Sequence, residues 1–412
     1  MKNIFEPTQL LLTGFSLLIA AVLAGCSQNR SQTPVSRTGF AFDTVITITI
    51  YDGQKSDALD HCLALCEKYE SLFSTTLEGS EVWNINHAGG NRTAVSYDTA
   101  SLIQSALYYC DQSQGMLDLT LRPIIEEWDI SGQMKQAGAL ADYEYYIPSD
   151  QTLAGLLEHV NYQNVLLTDT FGNEIGYTDT LSDEKNYFVT LKDAQSTIDL
   201  GFIAKGYIAD CLKSYLLSEG IENGIISLGG NVLLIGSKPD GSDFNVGIQK
   251  PFGAANEVIT TIQENDISVV SSGCYERYFM TGQTKKDRMI YHHIFDAATG
   301  HPVQNDLLGV TILSDSSMEG DALSTYCYLL GLEKGLEYIR SLENVEALFI
   351  TKDYEIITSY SLQTHHLPEP LKHNKIDAQK NRIKYYIHPA PSFFLLWYHP
   401  SAVLSGRTYS KD

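Results

Sequence analysis

The second half of the chain is a succession of short segments rich in β-branched and aromatic residues, separated by turn-forming residues. Such segments are typical of strands joined by tight connections. We predict strands after residue 186 at 187–191, 196–200, 224–235, 244–249, 258–262, 267–270, 290–295, 309–313 and 347–350. Helical periodicity interrupts them only at 204–218, 318–330 and 333–342. Because strand and helix do not alternate strictly, we predict an α+β fold with mixed, largely antiparallel sheets and a few packed helices.

The first part of the chain adds a predicted strand at 44–51 and predicted helices at 56–73 and 99–113. No Gly-x-Gly-x-x-Gly or Walker-type loop occurs in the sequence. Its absence disfavours a Rossmann dehydrogenase and a P-loop NTPase, since both use such loops to bind phosphate groups.

The composition also restricts the ligands. The chain has 412 residues, 28 of them basic and 50 acidic, and a net charge of −22. Such an acidic surface repels a polyphosphate backbone, so we expect no nucleic-acid partner. A small anionic ligand would need a bound cation or backbone amides to enter.

The first 26 residues have the pattern of a bacterial lipoprotein signal peptide. An apolar run over 10–23 is followed by Leu23-Ala24-Gly25-Cys26, which resembles a lipobox. We predict that Cys26 carries the lipid, that 27–38 is a tether, and that the protein lies at the extracytoplasmic face of the cell membrane. An uncleaved anchor helix is the alternative, although the apolar run is short for a bilayer span.

The other six cysteines fall on scattered apolar positions and form no Cys-x-x-Cys pair. This placement favours buried thiols over a disulfide framework or a zinc site.

The end of the chain, 363–412, is basic, with seven Lys or Arg residues against three acidic ones. We predict an extension of the domain, either dispensable and poorly ordered or in contact with the membrane surface.

One segment combines the chemistry of a phosphate site. It runs from Ser196 to Tyr207 and contains Asp199, Gly201 and Lys205 just before and within a predicted helix start. Glycines allow a ligand to approach the main chain, and helix-start amides bind anions. The same sequence is also compatible with a packing turn.

Two later clusters carry polar groups suited to a metal and to proton transfer. Asp321 and Thr325 lie four residues apart, on one helical face, and offer the oxygen ligands that Mg²⁺ prefers. Ordinary polarity of a helix start is the alternative. His292 and His293 precede an Asp-x-x-Thr-Gly turn at a predicted strand end.

The order of these clusters resembles the ApbE-like flavin transferases, the FAD:protein FMN transferase family, over 39–361. The segments that carry the resemblance are Phe42-Asp43-Thr44, Phe73-Ser74-Thr75-Thr76, Gly115-Met116-Leu117-Asp118, 199–207, Leu228-Gly229-Gly230-Asn231, Ser272-Gly273, 291–300 and 319–325. The resemblance implies a T-fold-related α+β domain. It also implies Mg²⁺-dependent transfer of FMN from FAD to a threonine or serine hydroxyl of an exported redox protein, with release of AMP.

The resemblance assigns roles to individual residues. It implies a metal site formed by the Phe202 carbonyl, Asp321, Ser324 and Thr325, with Asp321 also catalytic and His293 as proton acceptor. The flavin-nucleotide positions that it implies are Phe42, Thr76, Met116, Leu117, Asp118, Asp199, Lys205 and Ile294.

The chain departs from the family pattern at Phe42-Asp43, where Met-Gly is usual, and at Phe202, where a small residue is usual. The sequence alone leaves two other functions open. One is an FAD pyrophosphatase that releases FMN and AMP, and the other is a flavin-binding surface lipoprotein without turnover.

Overall fold

A computed structural model describes residues 33–140, 143–254, 256–282 and 288–359. The predicted signal peptide 1–26, the lipidation site Cys26 and the extension 363–412 lie outside these described residues. Strand β1 starts at Val35, so the last four residues of the predicted tether belong to the folded domain, which begins before the predicted boundary at residue 39.

An eight-stranded sheet forms the centre of the domain, and every neighbouring pair in it is antiparallel. Along each strand, buried residues either alternate with less buried ones or follow one another without interruption. This pattern is typical of strands that pack against a buried layer. In spatial order they are β1 (Val35–Ala41), β2 (Thr44–Ile50), β6 (Gly224–Leu228), β7 (Asn231–Ile235), β10 (Ser268–Gly273), β13 (Leu307–Ser314), β14 (Glu346–Thr351) and β15 (Ile356–Thr358).

Three smaller antiparallel sheets complete the strand content of the described residues. The first contains β3 (Thr93–Val95), β5 (Tyr187–Leu191) and β4 (Val165–Asp169). The other two are hairpins, β8 (Phe244–Gln249) with β9 (Val258–Glu264), and β11 (Tyr278–Thr281) with β12 (Met289–His292).

Helices cover the sheets and connect them. They are α1 (Asp57–Phe73), α2 (Glu81–Asn86), α3 (Tyr97–Gln112), α4 (Arg122–Trp128), α5 (Ile130–Ala139), α6 (Asp150–Leu157), α7 (Ala204–Ser218) and α8 (Ser317–Arg340). Helices α7 and α8 pack against each other and against the central sheet, and α1 packs on α7 and β1. The main core lies between these helices and the sheet. A second, aromatic cluster surrounds Trp128, Phe279 and Phe295.

The predicted α+β class is confirmed, and several boundaries are corrected. The predicted strand 196–200 is wrong, because only Thr197 forms a single parallel bridge, with Leu121. The segment 224–235 is a hairpin of β6 and β7 that turns at Gly229-Gly230. The two helices predicted at 318–330 and 333–342 are confirmed as separate helical segments of α8, because Gly331, at φ 75° and ψ −179°, is non-helical and forms a kink between them.

The turn between β1 and β2 accommodates an acid at a position where the resemblance leads us to expect glycine. Ala41 pairs with Thr44, which leaves a two-residue loop of Phe42 and Asp43 with φ of 55° and 56°. These values are those of a type I′ hairpin turn, and aspartate adopts this left-handed region more readily than most residues. The Phe42 N–H donates to Glu70 Oε1 at 2.9 Å, which holds the turn on α1.

The cysteines of the described residues are free thiols, and all but Cys211 are buried. Burial raises the pKa of Cys62 and Cys66 to about 12. The prediction of buried thiols is therefore confirmed, and these two groups are unreactive at neutral pH. None of the helices in the described ranges is both long enough and apolar enough to cross a membrane.

Candidate functional site

The candidate site lies at one end of the central sheet, where turns and helix starts meet. The β6–β7 turn lies beside the start of β2. The two are so close that a Cβ on Gly229, which has φ 68°, would lie only 2.7 Å from Thr44 Oγ1. The Ser271 N–H donates to the Gly230 carbonyl at 3.0 Å, which brings in the end of β10. Three of the predicted motifs therefore meet at this end of the sheet.

The contact between α7 and α8 supplies the charged centre of the site. The Asp321 carboxylate accepts from the Gly206 N–H at 2.9 Å and lies 3.3 Å from Lys205 Nζ. Asp321 is only 3% exposed. Burial raises the pKa of this carboxyl, while Lys205 and the Gly206 N–H oppose the rise.

Glycine at 206 is required for this contact. A Cβ there would lie 2.3 Å from the Ser317 carbonyl oxygen and 2.5 Å from Met318 Cα. Any side chain would therefore push α7 away from α8 and separate Lys205 from Asp321.

The same bond satisfies a backbone donor at the start of α7. Gly206 is the third residue of this helix, so its N–H is one of the first-turn donors that have no acceptor within the helix. Here the Gly206 N–H donates to Asp321, and the next bond of the ladder runs from Tyr207 to Ile203 at 3.1 Å. Within the described ranges no backbone N–H donates to the Phe202 carbonyl, so its oxygen can accept another partner.

Hydroxyl groups line the neighbouring face. Ser272 Oγ, at the end of β10, lies 2.8 Å from Ser324 Oγ and 3.2 Å from Thr325 Oγ1. Ser324 is fully buried and donates its proton to the Asp321 carbonyl at 3.0 Å, so it accepts from Ser272 Oγ and keeps one lone pair for a further partner. Thr325 is half-buried and so is open to a ligand.

This donor set fits Mg²⁺. The ion takes hard oxygen ligands, often only one or two carboxylates, and completes its shell with water and substrate phosphates. Asp321, the Phe202 carbonyl and the hydroxyls of Ser324 and Thr325 are of that kind. Among the described residues, no group of three or more His, Cys, Asp or Glu side chains is arranged so that it could hold a metal ion.

The two histidines have different environments. His292 is buried, and its Nε2 lies 2.9 Å from the Val303 carbonyl. His293 is half-buried, and its Nδ1 lies 3.3 Å from the Arg277 carbonyl. When Nδ1 carries the proton and donates it to this carbonyl, Nε2 has no proton and can accept one. Burial, Arg277, His292 and Lys205 lower the pKa of His293 to about 3, so its ring is neutral at pH 7.

Glu276 is a site residue that sequence reasoning missed. It lies between Ser272-Gly273 and Arg277, and its Oε1 is 3.2 Å from where a Cβ on Gly230 would stand. Burial raises the pKa of its carboxyl to about 7, Lys205 and Arg277 oppose this, and Asp321 adds to it. The only signal in the sequence was its closeness to the Ser272-Gly273 motif.

Asp118 and Asp199 lie on two adjacent segments. The Asp199 N–H donates to the Leu119 carbonyl at 2.7 Å, and Asp199 Oδ2 lies 4.0 Å from the Arg122 guanidinium. Asp118 is buried and accepts from the Thr120 hydroxyl at 2.6 Å and the Tyr162 N–H at 2.9 Å. Asp118 thus fixes the loop that carries it.

A cavity of about 500 Å³ lies beside that loop. Its lining includes Gly115, Asp118 and Tyr162 on one side and Ala297 and Ala298, from the Asp-x-x-Thr-Gly turn, on the other. The predicted motifs at 115–118 and 291–300 therefore both line this cavity.

The remaining predicted ligand-binding residues differ in access. Leu117 and Ile294 belong to the core, with 3% and 5% exposure, so their side chains support the site and offer little surface to a ligand. Phe42 and Met116 are partly buried against the same core. Thr76 is exposed, and its N–H donates to Ser74 Oγ at 3.2 Å in a local turn after α1.

A cluster of oxygen groups that includes a carboxylate, together with a lysine and a helix start, is typical of proteins that bind phosphorylated ligands with a divalent cation. The chain belongs to the ApbE family, whose family model matches residues 42–349. This confirms the resemblance found in the sequence.

Relatives agree with this membership. The chain is 32% identical over 315 residues to the FAD:protein FMN transferase of Klebsiella pneumoniae, covering 76% of this chain and 86% of the relative. It is 28% identical over 359 residues to the enzyme of the same name from Treponema pallidum, covering 84% and 92%.

Solved structures share the fold. The ApbE protein of Thermotoga maritima matches with a TM-score of 0.67 and 28% identity, over 80% of this chain and 98% of that one. The flavin transferase ApbE of Vibrio cholerae matches with a TM-score of 0.63 and 24% identity, over 81% and 99%, which supports the fold alone.

We expect Glu276→Gln to stabilise the protein at alkaline pH. A carboxyl with a raised pKa contributes stability below its unfolded value of about 4.3, and this is lost as the pH rises through about 7. Glutamine resembles the protonated form, so the variant should gain in melting temperature at pH 8 and change little at pH 4.5. Thermal unfolding across this range measures the difference.

Glu257→Gln is the matched control, because hydrogen bonding to Lys250 lowers the pKa of Glu257. The control should show no gain at pH 8. Equal effects of Glu276→Gln at both pH values would contradict the assignment.

Proposed function

We propose that this chain is an FAD:protein FMN transferase that moves FMN from FAD to a threonine or serine hydroxyl of an exported redox protein. The observation that carries the proposal is the convergence of Lys205, Asp321 and His293 at one end of the central sheet. The family membership and the names of the relatives support the reaction type.

The proposed reaction is a displacement at phosphorus. The acceptor hydroxyl oxygen forms a bond to the phosphorus of the FMN half, and the bond from that phosphorus to the AMP oxygen breaks. The hydroxyl proton goes to a base, and AMP leaves. Such reactions depend mainly on positioning and on neutralisation of the phosphate charge.

We propose that Asp321, Ser324, Thr325 and the Phe202 carbonyl hold Mg²⁺. A bound Mg²⁺ would neutralise charge on the pyrophosphate. The support is the available Phe202 carbonyl, the buried carboxylate and the hydroxyls on the adjacent turn of α8. Lys205, next to Asp321, would balance the phosphate charge from the other side.

His293 is the proposed proton acceptor. Its ring is neutral at pH 7, and the contact of Nδ1 with the Arg277 carbonyl leaves Nε2 to take the hydroxyl proton. A phosphate anion bound close by would favour the protonated ring and so raise its pKa during the reaction.

The proposed flavin-nucleotide contacts are those that the resemblance implies. Asp199 and the loop of Asp118 lie on adjacent segments, and the cavity beside that loop also reaches the turn after His293. The partly exposed surfaces of Phe42 and Met116 are open to a planar ligand. We propose that this part of the site binds FAD.

Incubation of the purified full-length chain in detergent with FAD, Mg²⁺ and a threonine-bearing acceptor domain tests the function. We expect flavin fluorescence on the denatured acceptor and one AMP released for each flavin attached. Release of FMN and AMP with an unmodified acceptor would indicate a pyrophosphatase. Binding of FAD without any AMP would indicate a non-catalytic flavin-binding lipoprotein.

We expect Asp321→Ala to lower the transfer rate by about 100-fold or more, since it removes the one carboxylate of the proposed metal site. Circular dichroism should show an intact fold. The control is Asp60→Ala, which removes a surface carboxylate paired with Arg37 at 2.7 Å and should leave the rate unchanged. Full activity of Asp321→Ala at ordinary Mg²⁺ would overturn the metal assignment.

We further propose that Cys26 carries a lipid that anchors the protein to the extracytoplasmic face of the membrane. The support is the apolar run and the Leu-Ala-Gly-Cys sequence. Cells that express the chain should incorporate labelled palmitate into it, and Cys26→Ala should abolish the label. Equal labelling of both proteins would contradict the proposal.

A further inference from the structure

The first turn of α8 is held by a carboxylate from α7. Asp210 Oδ1 accepts from the Ser317 N–H at 2.8 Å. Its Oδ2 accepts from the Met318 N–H at 3.0 Å and from Ser316 Oγ at 2.8 Å. A single side chain on α7 thus satisfies two backbone donors at the start of α8 that have no partner within the helix.

This contact and the Gly206 contact are one helical turn apart on both helices. Gly206 and Asp210 are four residues apart on α7, and Ser317 and Asp321 are four residues apart on α8. Asp321 accepts from Gly206, while the N–H of Ser317 donates to Asp210. The two contacts together fix both the distance and the register between the helices.

A third bond ties the same turn to the central sheet. Ser317 Oγ donates to Asn231 Oδ1 of β7 at 2.7 Å, and both residues are fully buried. The start of α8 is therefore held from two sides. A shift of this turn would move Asp321 relative to Lys205 and to the Phe202 carbonyl, because all three depend on the same α7–α8 register.

We propose that Asp210 is a positioning residue for the metal site, which sets where the Asp321 carboxylate stands and thereby the affinity for the divalent cation. The proposal rests on the proposed function in that it takes Asp321 as a ligand of the ion. Groups that orient a ligand from outside the coordination shell commonly change metal affinity about 10-fold to 100-fold when they are replaced.

A purely structural role would give a different result, and the chain contains a matched case. The Glu81 carboxylate accepts from the Ser96 N–H at 2.9 Å and from Ser96 Oγ at 2.9 Å, at the start of α3. Glu81, like Asp210, is half-buried. Helix α3 carries none of the proposed metal ligands, so Glu81→Gln removes a comparable bond without moving Asp321.

The test compares full-length Asp210→Asn with full-length Glu81→Gln. Mn²⁺ serves as the probe, since it accepts the same oxygen ligands as Mg²⁺ and its free concentration can be read by electron paramagnetic resonance. We expect the dissociation constant for Mn²⁺ to rise about 10-fold in Asp210→Asn and to stay at the wild-type value in Glu81→Gln. In the transfer assay, the Mg²⁺ concentration for half-maximal rate should rise by the same factor in Asp210→Asn.

Wild-type Mn²⁺ affinity in a folded Asp210→Asn would overturn the proposal, and so would equal weakening in Glu81→Gln. Should Asp210→Asn not fold, Ser316→Ala removes one of the three donors to Asp210. We expect this variant to bind Mn²⁺ more weakly than the wild type, but by less than the about 10-fold expected of Asp210→Asn, because two of the three donors remain. An unchanged affinity would overturn the proposal as well. Failure of the wild-type protein to transfer flavin would reject the proposed function, while the Mn²⁺ comparison would still decide the role of Asp210.

Discussion

The close contact of α7 with α8 is the constraint on which the site depends. It exists because residue 206 has no side chain, so that its N–H can reach a carboxylate on the neighbouring helix at 2.9 Å. That single bond gives the buried Asp321 a backbone partner and brings Lys205 beside it. The Phe202 carbonyl, just before α7, accepts from no backbone N–H of the described residues. The lack of a side chain at residue 206 therefore accounts both for the close packing of the two helices and for the position of Asp321 beside Lys205.

The environment of each functional group sets its pKa, so that the groups of the site differ in protonation at neutral pH. Burial and nearby cations keep His293 neutral, whereas burial beside Asp321 raises the pKa of Glu276 to about 7. A site that must receive a phosphorylated ligand on a chain of net charge −22 needs such local compensation. Lys205, whose Nζ lies 3.3 Å from Asp321 and which also opposes the raised pKa of Glu276, provides this positive charge.

The family resemblance could be found in the sequence because its motifs lie at the ends of strands and at helix starts. Glycine turns and polar residues at such positions are recognisable locally, as at Gly229-Gly230 and in the segment around Lys205. The strand predicted at 196–200 was wrong for the same local reason. Its apolar alternation is typical of a strand, yet it pairs only at Thr197 and otherwise runs beside the Asp118 loop.

The sequence by itself determined the α+β class, the buried thiols and the membership of the family, because these follow from periodicity, composition and motif order. Only the tertiary structure decided which polar residues act together. Asp210 and Asp321 are far apart in the chain, and their contacts with facing turns of two helices become visible only when α7 and α8 pack. Glu276 likewise acquires its altered pKa from burial and from neighbours distant in sequence, and no local pattern around this residue indicates that its carboxyl is buried.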